Sequence, residues 1–256
     1  MSWNPELYHK FRSERSAPFE DLMNLVVLRN GLRAIDLGCG TGELTRMLAD
    51  RLPGGYVLGI DSSPEMLEQA KSKEREGLRF ELRSIEDVSG EWDLIFSNAA
   101  IHWVDDHKEL IRALFNLLSP GGQIAVQLPS NHNHETQLIV HELAKEPPFD
   151  SALGGWVRKS PVLSIGAYAE ILYECGGMDI NVFEKVFPHV LNDTDAIAEW
   201  LAGTMMRPYL SRLSAELQAR FMNVYKERLR KIYTKAPVFY PFRRIFFSAL
   251  KTNLHG

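Results

Sequence analysis

An apolar segment that runs directly into three alternating glycines constrains the fold of this chain more than any other part of the sequence. It reads Ala-Ile-Asp-Leu-Gly-Cys-Gly-Thr-Gly from Ala34 to Gly42, and a helical pattern follows it. Because glycine lacks a Cβ atom, a Gly-x-Gly-x-Gly turn reaches backbone angles closed to other residues and lets a ligand lie against the main chain. The segment predicts a strand, a nucleoside-binding turn and a helix, with the Asp36 carboxylate as an extra acceptor beside the turn.

The residue after the third glycine distinguishes between two kinds of nucleotide ligand. Dinucleotide-binding loops place their third glycine one step later, where a helix N-terminus receives a pyrophosphate. This chain has Glu43 there, and an acid at a helix start opposes a pyrophosphate but tolerates a ligand with a cationic centre. A second acid, Asp61, ends the next predicted strand about 20 residues beyond the loop, where a ribose-binding carboxylate is expected. The combination indicates S-adenosylmethionine.

Strand and helix patterns alternate along the rest of the chain. After the first strand, the predicted strands cover 56–61, 78–82, 92–97, 123–128, 179–190 and 243–250, and the predicted helices cover 43–52, 64–75, 106–118, 135–145, 164–175 and 193–235. Strands that alternate with helices of this length form parallel βαβ units with right-handed crossovers. The chain is therefore predicted to be an α/β protein with a doubly wound, mostly parallel sheet.

Five residues fall at the carboxyl ends of separate predicted strands: Asp36, Asp61, Ser84, Asn98 and Pro129. In doubly wound sheets, ligands bind in the crevice outside these strand ends. Their convergence predicts a binding site at one edge of the sheet, independently of any motif.

Composition narrows the functional classes. The 256 residues carry a net charge of -4, which argues against a nucleic-acid surface because phosphate contacts need clustered Lys and Arg. No run of about 18 apolar residues predicts a membrane span, and two distant cysteines favour a reducing compartment, so we expect a soluble cytoplasmic protein. The histidines and acids between His132 and Glu142 lack the spacing of a zinc site, so we expect no metal.

The glycine loop, from Asp36 to Gly42, and Asp61 resemble those of the class I S-adenosylmethionine-dependent methyltransferases. The resemblance implies a Rossmann-like sheet of seven strands with the last antiparallel, an N-terminal segment folded over the cofactor, and a helical cap. Ser84 stands where many members of this family place an acid that accepts from the adenine amino group, so Ser84, the Ile85 backbone or Glu86 is expected to substitute. The predicted cofactor-binding residues are Tyr8, Phe11, Arg15, Asp36, Gly38, Gly40, Gly42, Asp61, Ser62, Met66, Ser84, Ile85, Glu86, Asn98 and Ala99.

A narrower resemblance extends over nearly the full length. It is carried by Trp3 with Tyr8 and Phe11, His102-Trp103-Val104 with Asp106-His107, Gln127-Leu128-Pro129, Arg158-Lys159, and the segment 203–210 with its Arg-Pro-Tyr-Leu element. This set is similar to the trans-aconitate 2-methyltransferases. The resemblance implies methyl ester formation on a small polycarboxylate, with Trp103, Arg158, Arg207 and Tyr209 as predicted substrate-binding residues.

A carboxylate acceptor is already ionised at neutral pH, so its methylation requires no general base. We therefore predict no acid/base residue, and His102 is interpreted as a hydrogen-bonded structural residue, although it would serve as a base for a hydroxyl or amine acceptor. Two alternatives stay open: a methyltransferase for another small-molecule or carrier-bound acceptor, and a non-catalytic S-adenosylmethionine-binding protein.

The expected organisation is one compact domain with four parts. Residues 1–30 form a helical cover over the cofactor, 31–129 the cofactor-binding core, 130–178 a cap insertion, and 179–256 the last strands with a further helical cap segment.

Overall fold

The computed structural model of this chain describes residues 13–252, with side chains from residue 17 onward. The strands are β1 (Arg33–Leu37), β2 (Tyr56–Asp61), β3 (Leu78–Leu82), β4 (Trp92–Asn98), β5 (Leu118–Pro129), β6 (Gly177–Leu191) and β7 (Val238–Lys251). The helices are α1 (Ser13–Met23), α2 (Glu43–Asp50), α3 (Pro64–Lys71), α4 (His107–Asn116), α5 (Glu135–Leu143), α6 (Phe149–Leu153), α7 (Ile165–Glu174), α8 (Thr194–Ala202), α9 (Arg207–Leu210) and α10 (Ala215–Ile232).

All seven strands join one sheet in the order β3-β2-β1-β4-β5-β7-β6. The pairs from β3 to β5 are parallel, whereas β7 runs antiparallel to both of its neighbours, β5 and β6. The predicted doubly wound sheet with an antiparallel last strand is confirmed. Because β1 pairs with both β2 and β4, the strand order reverses there, and such a switch point opens a ligand crevice at the carboxyl ends of the strands.

Helices cover both faces of the sheet because consecutive strand residues point to opposite sides. Ile95 of β4 packs in a cluster with residues of α4 and α7, while its neighbours Leu94 and Phe96 pack with residues of α1, α2 and α3. Helix α7 lies in the segment predicted as a cap insertion, yet its Tyr168 and Leu172 belong to the cluster on the sheet. The sheet layer thus extends into that segment.

A separate apolar cluster forms the cap. It joins residues of α5, α6, α8, α9 and α10 to the first residues of β7, and the rings of Phe149 and Phe221 meet in it at 4.9 Å. Tyr209 and Tyr225 are fully buried within the same cluster. The cap therefore has a core of its own beside the carboxyl edge of the sheet.

Three local predictions differ from the structure. The predicted long helix 193–235 is divided into α8, α9 and α10, because Pro208 occupies the first turn of α9 and the Ser214 hydroxyl caps α10 by accepting from Leu217 N at 3.3 Å. Strand β5 begins at Leu118, five residues before the predicted start. Helix α6 was not predicted in its Pro/Gly-rich surroundings.

Tyr8 and Phe11 lie outside the described residues, as does the side chain of Arg15, so their predicted cofactor contacts stay predictions. Among residues 13–252, no helix combines the length and apolar character needed to cross a membrane.

Candidate active site

The glycine loop takes backbone angles that exclude side chains. Gly38, Gly40 and Gly42 have φ values of 75°, 56° and 75°, all in the left-handed region. A Cβ atom on Gly38 would lie 2.2 Å from the Ala100 Cβ, and one on Gly42 would lie 2.7 Å from the Phe80 ring. Packing and backbone conformation therefore both require glycine, and they leave the main chain bare where β1 passes into α2.

Asp61 fastens this loop to the end of β2. Its two carboxylate oxygens accept hydrogen bonds from Gly40 N and Ser63 N, each at 2.9 Å, and the Ile60 carbonyl accepts from Gly38 N at 2.8 Å. Burial raises the pKa of Asp61 even though these N–H groups stabilise the ionised form. Each carboxylate oxygen has a second lone pair, so the group can still accept from two ribose hydroxyls. Loop and acid form one unit that fits a nucleoside.

Asp36 is buried at the end of β1, with 3% of its surface exposed. Its Oδ2 accepts a hydrogen bond from the Thr45 hydroxyl of α2 at 2.6 Å. Burial raises the pKa of Asp36 to about 7, with Thr45 acting in the opposite direction and Asp61 adding to the rise. A cationic ligand beside the loop would favour the ionised form, which suits a sulfonium cofactor.

The residues predicted to hold the rest of the cofactor occupy different environments. The Ser84 hydroxyl, at the end of β3, donates to the exposed Glu86 carboxylate, so the two candidate adenine contacts are joined to each other. Met66 is buried at the start of α3, whereas Ser62 is exposed.

The end of β4 carries an unusual backbone and a polar row. Ala99 follows the strand with φ of 58°, and Asn98 lies opposite Gln127 of β5 in the sheet register. Gln127 Nε2 donates to Asn98 Oδ1 at 2.9 Å, and Arg244 Nη1 donates to Gln127 Oε1 at 3.1 Å. Gln127 and Arg244 are almost fully buried.

Arg158 and Trp103 contact each other just beyond the end of β4. The guanidinium carbon of Arg158 lies 4.4 Å from the centre of the Trp103 ring, and its Nη2 donates to the His102 carbonyl at 2.7 Å. The Arg158 backbone N–H donates to the Tyr209 hydroxyl at 3.0 Å. The same hydroxyl lies 3.3 Å from Nδ1 of His141 in α5. Three of the four predicted substrate residues are thus brought into direct contact.

The imidazole groups near Arg158 are kept neutral. Burial, followed by the charges of Arg158 and Arg244, holds the pKa of His102 well below its usual range. The pKa of His141 is also lowered, first by burial and then by nearby cations that include Arg158. Within residues 13–252, Nδ1 of His102 is buried without a hydrogen-bond partner, so the expected structural hydrogen bond is not found at that atom.

Arg207 begins α9 and is half-buried. Burial lowers the pKa of Arg207, and the nearby Glu65 of α3 acts in the opposite direction. Arg207 is therefore within electrostatic reach of α3, the helix that follows Asp61.

Sequence reasoning gave no ligand-binding role to three residues of this region: Gln127, His141 and Arg244. One signal was available, because two adjacent arginines, Arg243 and Arg244, interrupt the apolar pattern of β7, and the alternation of a strand turns one of them inward. A charge in a buried strand requires a partner, and that requirement points to a polar site.

The comparisons with known proteins agree with this geometry. Residues 28–173 match the family model described as a methyltransferase domain. The trans-aconitate 2-methyltransferase of Deinococcus radiodurans is 44% identical over 99% of this chain and 100% of its own length. The chain belongs to the trans-aconitate 2-methyltransferase family. As a methyltransferase of this family it depends on S-adenosylmethionine, and the predicted cofactor is confirmed.

Superposition on solved structures shows that other proteins share this fold. The YcgJ protein from Bacillus subtilis superimposes on this methyltransferase with a TM-score of 0.60 at 15% identity, covering 93% of this chain and 99% of its own. Phosphoethanolamine N-methyltransferase 2 of Haemonchus contortus, solved with S-adenosyl-L-methionine, gives a TM-score of 0.55 at 20% identity over 94% of this chain and 52% of its own. In the part of the methyltransferase that the structure describes, no group of three or more His, Cys, Asp or Glu side chains is arranged to hold a metal ion.

Proposed function

We propose that the protein transfers a methyl group from S-adenosylmethionine to a carboxylate of trans-aconitate and releases the methyl ester. The full-length similarity to a trans-aconitate 2-methyltransferase carries the proposal. The arrangement of charge supports it, because the buried Asp36 and the half-buried Asp61 lie beside the glycine loop whereas Arg158 and Arg244 lie beyond the end of β4.

The chain holds the cofactor through the glycine loop and Asp61. When bound, S-adenosylmethionine supplies a methyl group on a positively charged sulfur, and its transfer to a carboxylate oxygen requires no proton removal. The half-buried glycines Gly38 and Gly40, which carry no side chain, admit the nucleoside, and Asp61 accepts from its ribose. The buried Asp36 places negative charge beneath the loop and favours a cationic ligand over a neutral one.

Arg158 is the strongest candidate for holding the acceptor. Its guanidinium has a planar fork of donors that matches a carboxylate. Stacking on Trp103 and a hydrogen bond to the His102 carbonyl fix the orientation of the group, while Tyr209 holds its backbone. Neutral His102 and His141 beside it add donors without repelling the cation. Arg207 supplies a second cation from α9.

The cap excludes water from the transfer. Since no acid/base residue is required, the rate depends on alignment and on a dry pocket, which together can supply up to about 7 to 11 kcal/mol. We assign this function to the cluster formed by α5, α6, α8, α9 and α10, whose residue Tyr209 holds Arg158. Both cysteines are free thiols, which supports a cytoplasmic setting.

Incubation with methyl-labelled cofactor and a panel of acids tests the proposal. We expect a labelled methyl ester of trans-aconitate, detected by mass spectrometry, and slower or no reaction with monocarboxylates. Arg207→Ala should raise the KM for trans-aconitate and leave cofactor affinity unchanged, whereas Arg212→Ala, an exposed arginine just beyond α9, should change neither. No turnover on any di- or tricarboxylate, or turnover on a hydroxyl or amine acceptor instead, would contradict the assignment.

A further inference from the structure

Three polar side chains form a continuous row across β4, β5 and β7. Arg244 has 4% of its surface exposed and Gln127 none, while Asn98 is half-buried at the strand end. The row runs from Arg244 Nη1 to Gln127 Oε1 at 3.1 Å and from Gln127 Nε2 to Asn98 Oδ1 at 2.9 Å. The row lies on the sheet face that carries Phe96 and Phe246. Asn98 and Arg244 are each two residues from one of these phenylalanines, and Gln127 pairs with Asn98 and Phe246 in the sheet register.

Arg244 determines which amide atoms donate and which accept along the row. A guanidinium group carries donors and no acceptor, so it must meet the oxygen of the Gln127 amide. The amide nitrogen of Gln127 then donates to Asn98, whose amide oxygen accepts. The two amides alone could reverse together with no loss of hydrogen bonds. The charge of Arg244 removes that freedom, and the rings of Phe242 and Phe187, at 4.7 Å and 5.9 Å, hold the guanidinium in place.

Asn98, at the end of the row, lies between the glycine loop proposed to hold the cofactor and the Arg158 region proposed to hold the acceptor. Asn98 precedes Ala99, whose φ is 58°, and the next residue, Ala100, packs against Gly38 of the glycine loop. On the other side, the charge of Arg244 acts on His102, which contacts Arg158. With its oxygen occupied by Gln127, Asn98 has its amide nitrogen left to offer, and that group is a donor.

We propose that Arg244 is a positioning residue that fixes the amide polarity of Asn98, so that Asn98 Nδ2 donates to a ligand carboxylate. The inference rests on the proposed function, in which both ligands carry such a group: the amino-acid part of the cofactor and the acceptor. An oxygen of Asn98 in the same place would repel either one, so the row selects for an anion at this point of the crevice.

Gln127→Glu reverses the row with almost no change in size. The new carboxylate still accepts from Arg244 but donates nothing, so Asn98 must turn its nitrogen toward residue 127 and its oxygen toward the ligand. Gln123→Glu is the matched control. Gln123 is a buried glutamine of the same strand whose amide is also bonded at both ends, to Val27 N at 2.9 Å and to the Leu25 carbonyl at 2.7 Å, at the opposite edge of the sheet.

Calorimetry separates the two sources of carboxylate without requiring turnover. The probes are S-adenosylhomocysteine, 5′-methylthioadenosine, which lacks the amino-acid part, and tricarballylate added to the S-adenosylhomocysteine complex. If the row serves the cofactor, Gln127→Glu weakens S-adenosylhomocysteine roughly 10- to 100-fold and spares methylthioadenosine. If it serves the acceptor, only tricarballylate is weakened. Gln123→Glu should leave all three affinities unchanged.

Two results overturn the proposal: unchanged affinities for both carboxylate ligands, or an equal loss for all three probes, which signals a disturbed fold. If the wild-type protein does not methylate trans-aconitate, the proposed acceptor is wrong, and the comparison of S-adenosylhomocysteine with methylthioadenosine decides the inference alone.

Conservative replacement of Arg244 provides a second test. A lysine ammonium group is also a donor without an acceptor, so Arg244→Lys should keep the carboxylate affinity within about threefold. A glutamine at position 244 can present either end of its amide, so Gln127 and Asn98 would no longer be held in one orientation. Arg244→Gln should therefore weaken the same ligand as Gln127→Glu. A lysine variant as weak as the glutamine variant would contradict a role in polarity.

Discussion

The glycine-loop half of the crevice and the acceptor half are assembled over different distances along the chain. In the first, Gly40 N donates to a carboxylate 21 residues away, and the Thr45 hydroxyl donates to Asp36, nine residues away. In the second, Arg244 reaches Gln127 across 117 residues, and Tyr209 reaches Arg158 across 51. One half is a local turn with acids at strand ends, and the other is a meeting of distant side chains.

The charges of the two halves differ in the same way. Asp36 and Asp61 lie by the loop, whereas Arg158 and Arg244 act on His102 beyond β4. In the proposed function, a cationic cofactor would meet the acidic half and an anionic acceptor the basic half, so each ligand would find the opposite charge. A substitution in one half should therefore affect one ligand and spare the other.

The largest effect is expected from Asp61→Ala. The variant loses charge-assisted hydrogen bonds to the ribose and the bond that fastens Gly40, so the affinity for S-adenosylhomocysteine should fall roughly 100- to 1000-fold by calorimetry. Asp93→Ala is the control, because that carboxylate joins Arg33 N to the Ser119 hydroxyl at the opposite edge of the sheet. Equal losses in both variants would show that the first effect is structural.

A pH-dependent effect should follow from Asp36→Asn. The pKa of Asp36 is about 7 in the fold and about 4 in an unfolded chain, so the native state binds the extra proton between these values. The contribution of Asp36 to wild-type stability should therefore decline as pH rises from 4 to 7, and the asparagine variant, which keeps the Thr45 bond, should lack that decline. Its advantage should grow by about 2 to 4 kcal/mol between pH 4 and pH 8, measured by denaturant titration.

Asp195→Asn should give the opposite trend as a control. Burial of Asp195 is outweighed by its bonds to Lys226 and Arg230, which lower its pKa, so that carboxylate stabilises the fold more as pH rises. Parallel pH profiles for the two variants would contradict the assigned protonation of Asp36.

Arg158→Met should act on the acceptor alone. It removes the fork that holds a carboxylate while keeping an apolar chain against Trp103, so the KM for trans-aconitate should rise roughly 10- to 100-fold with unchanged affinity for S-adenosylhomocysteine. Arg212→Met is a close match, since Arg212 lies 3.9 Å from the Trp156 ring and donates to a carbonyl in the same manner. A comparable KM for both variants would remove Arg158 from the acceptor site.

Tyr209→Phe should have the smallest effect. The hydroxyl orients the Arg158 backbone, and its loss should raise the acceptor KM a few-fold and cost about 1 kcal/mol of stability. Tyr225→Phe removes another buried hydroxyl, which donates to the Thr136 carbonyl at 3.0 Å, and should cost similar stability with no change in KM. Thermal unfolding and steady-state kinetics on both variants distinguish support of Arg158 from general packing.

The same contrast explains what the sequence could predict. The loop, Asp61 and the strand ends follow from glycine chemistry and from the rule that ligands bind at carboxyl edges, both of which act over short stretches. The division of 193–235 into three helices was missed because an amphipathic pattern continues through Pro208 and Ser214, and the packing of the cap decides where it breaks. Roles for Gln127 and Arg244 depend on register between strands, which periodicity does not reveal.

Strand β7 enters the sheet between β5 and β6, and this has a consequence for synthesis on the ribosome. A nascent chain that has emerged as far as β4 already contains the glycine loop and its aspartate. The amide orientations of Asn98 and Gln127 are fixed only after Arg244, in β7, has been synthesised. A stalled or truncated product that ends before β7 would therefore keep the residues of the glycine loop, lack Arg244, and leave β6 without a partner strand.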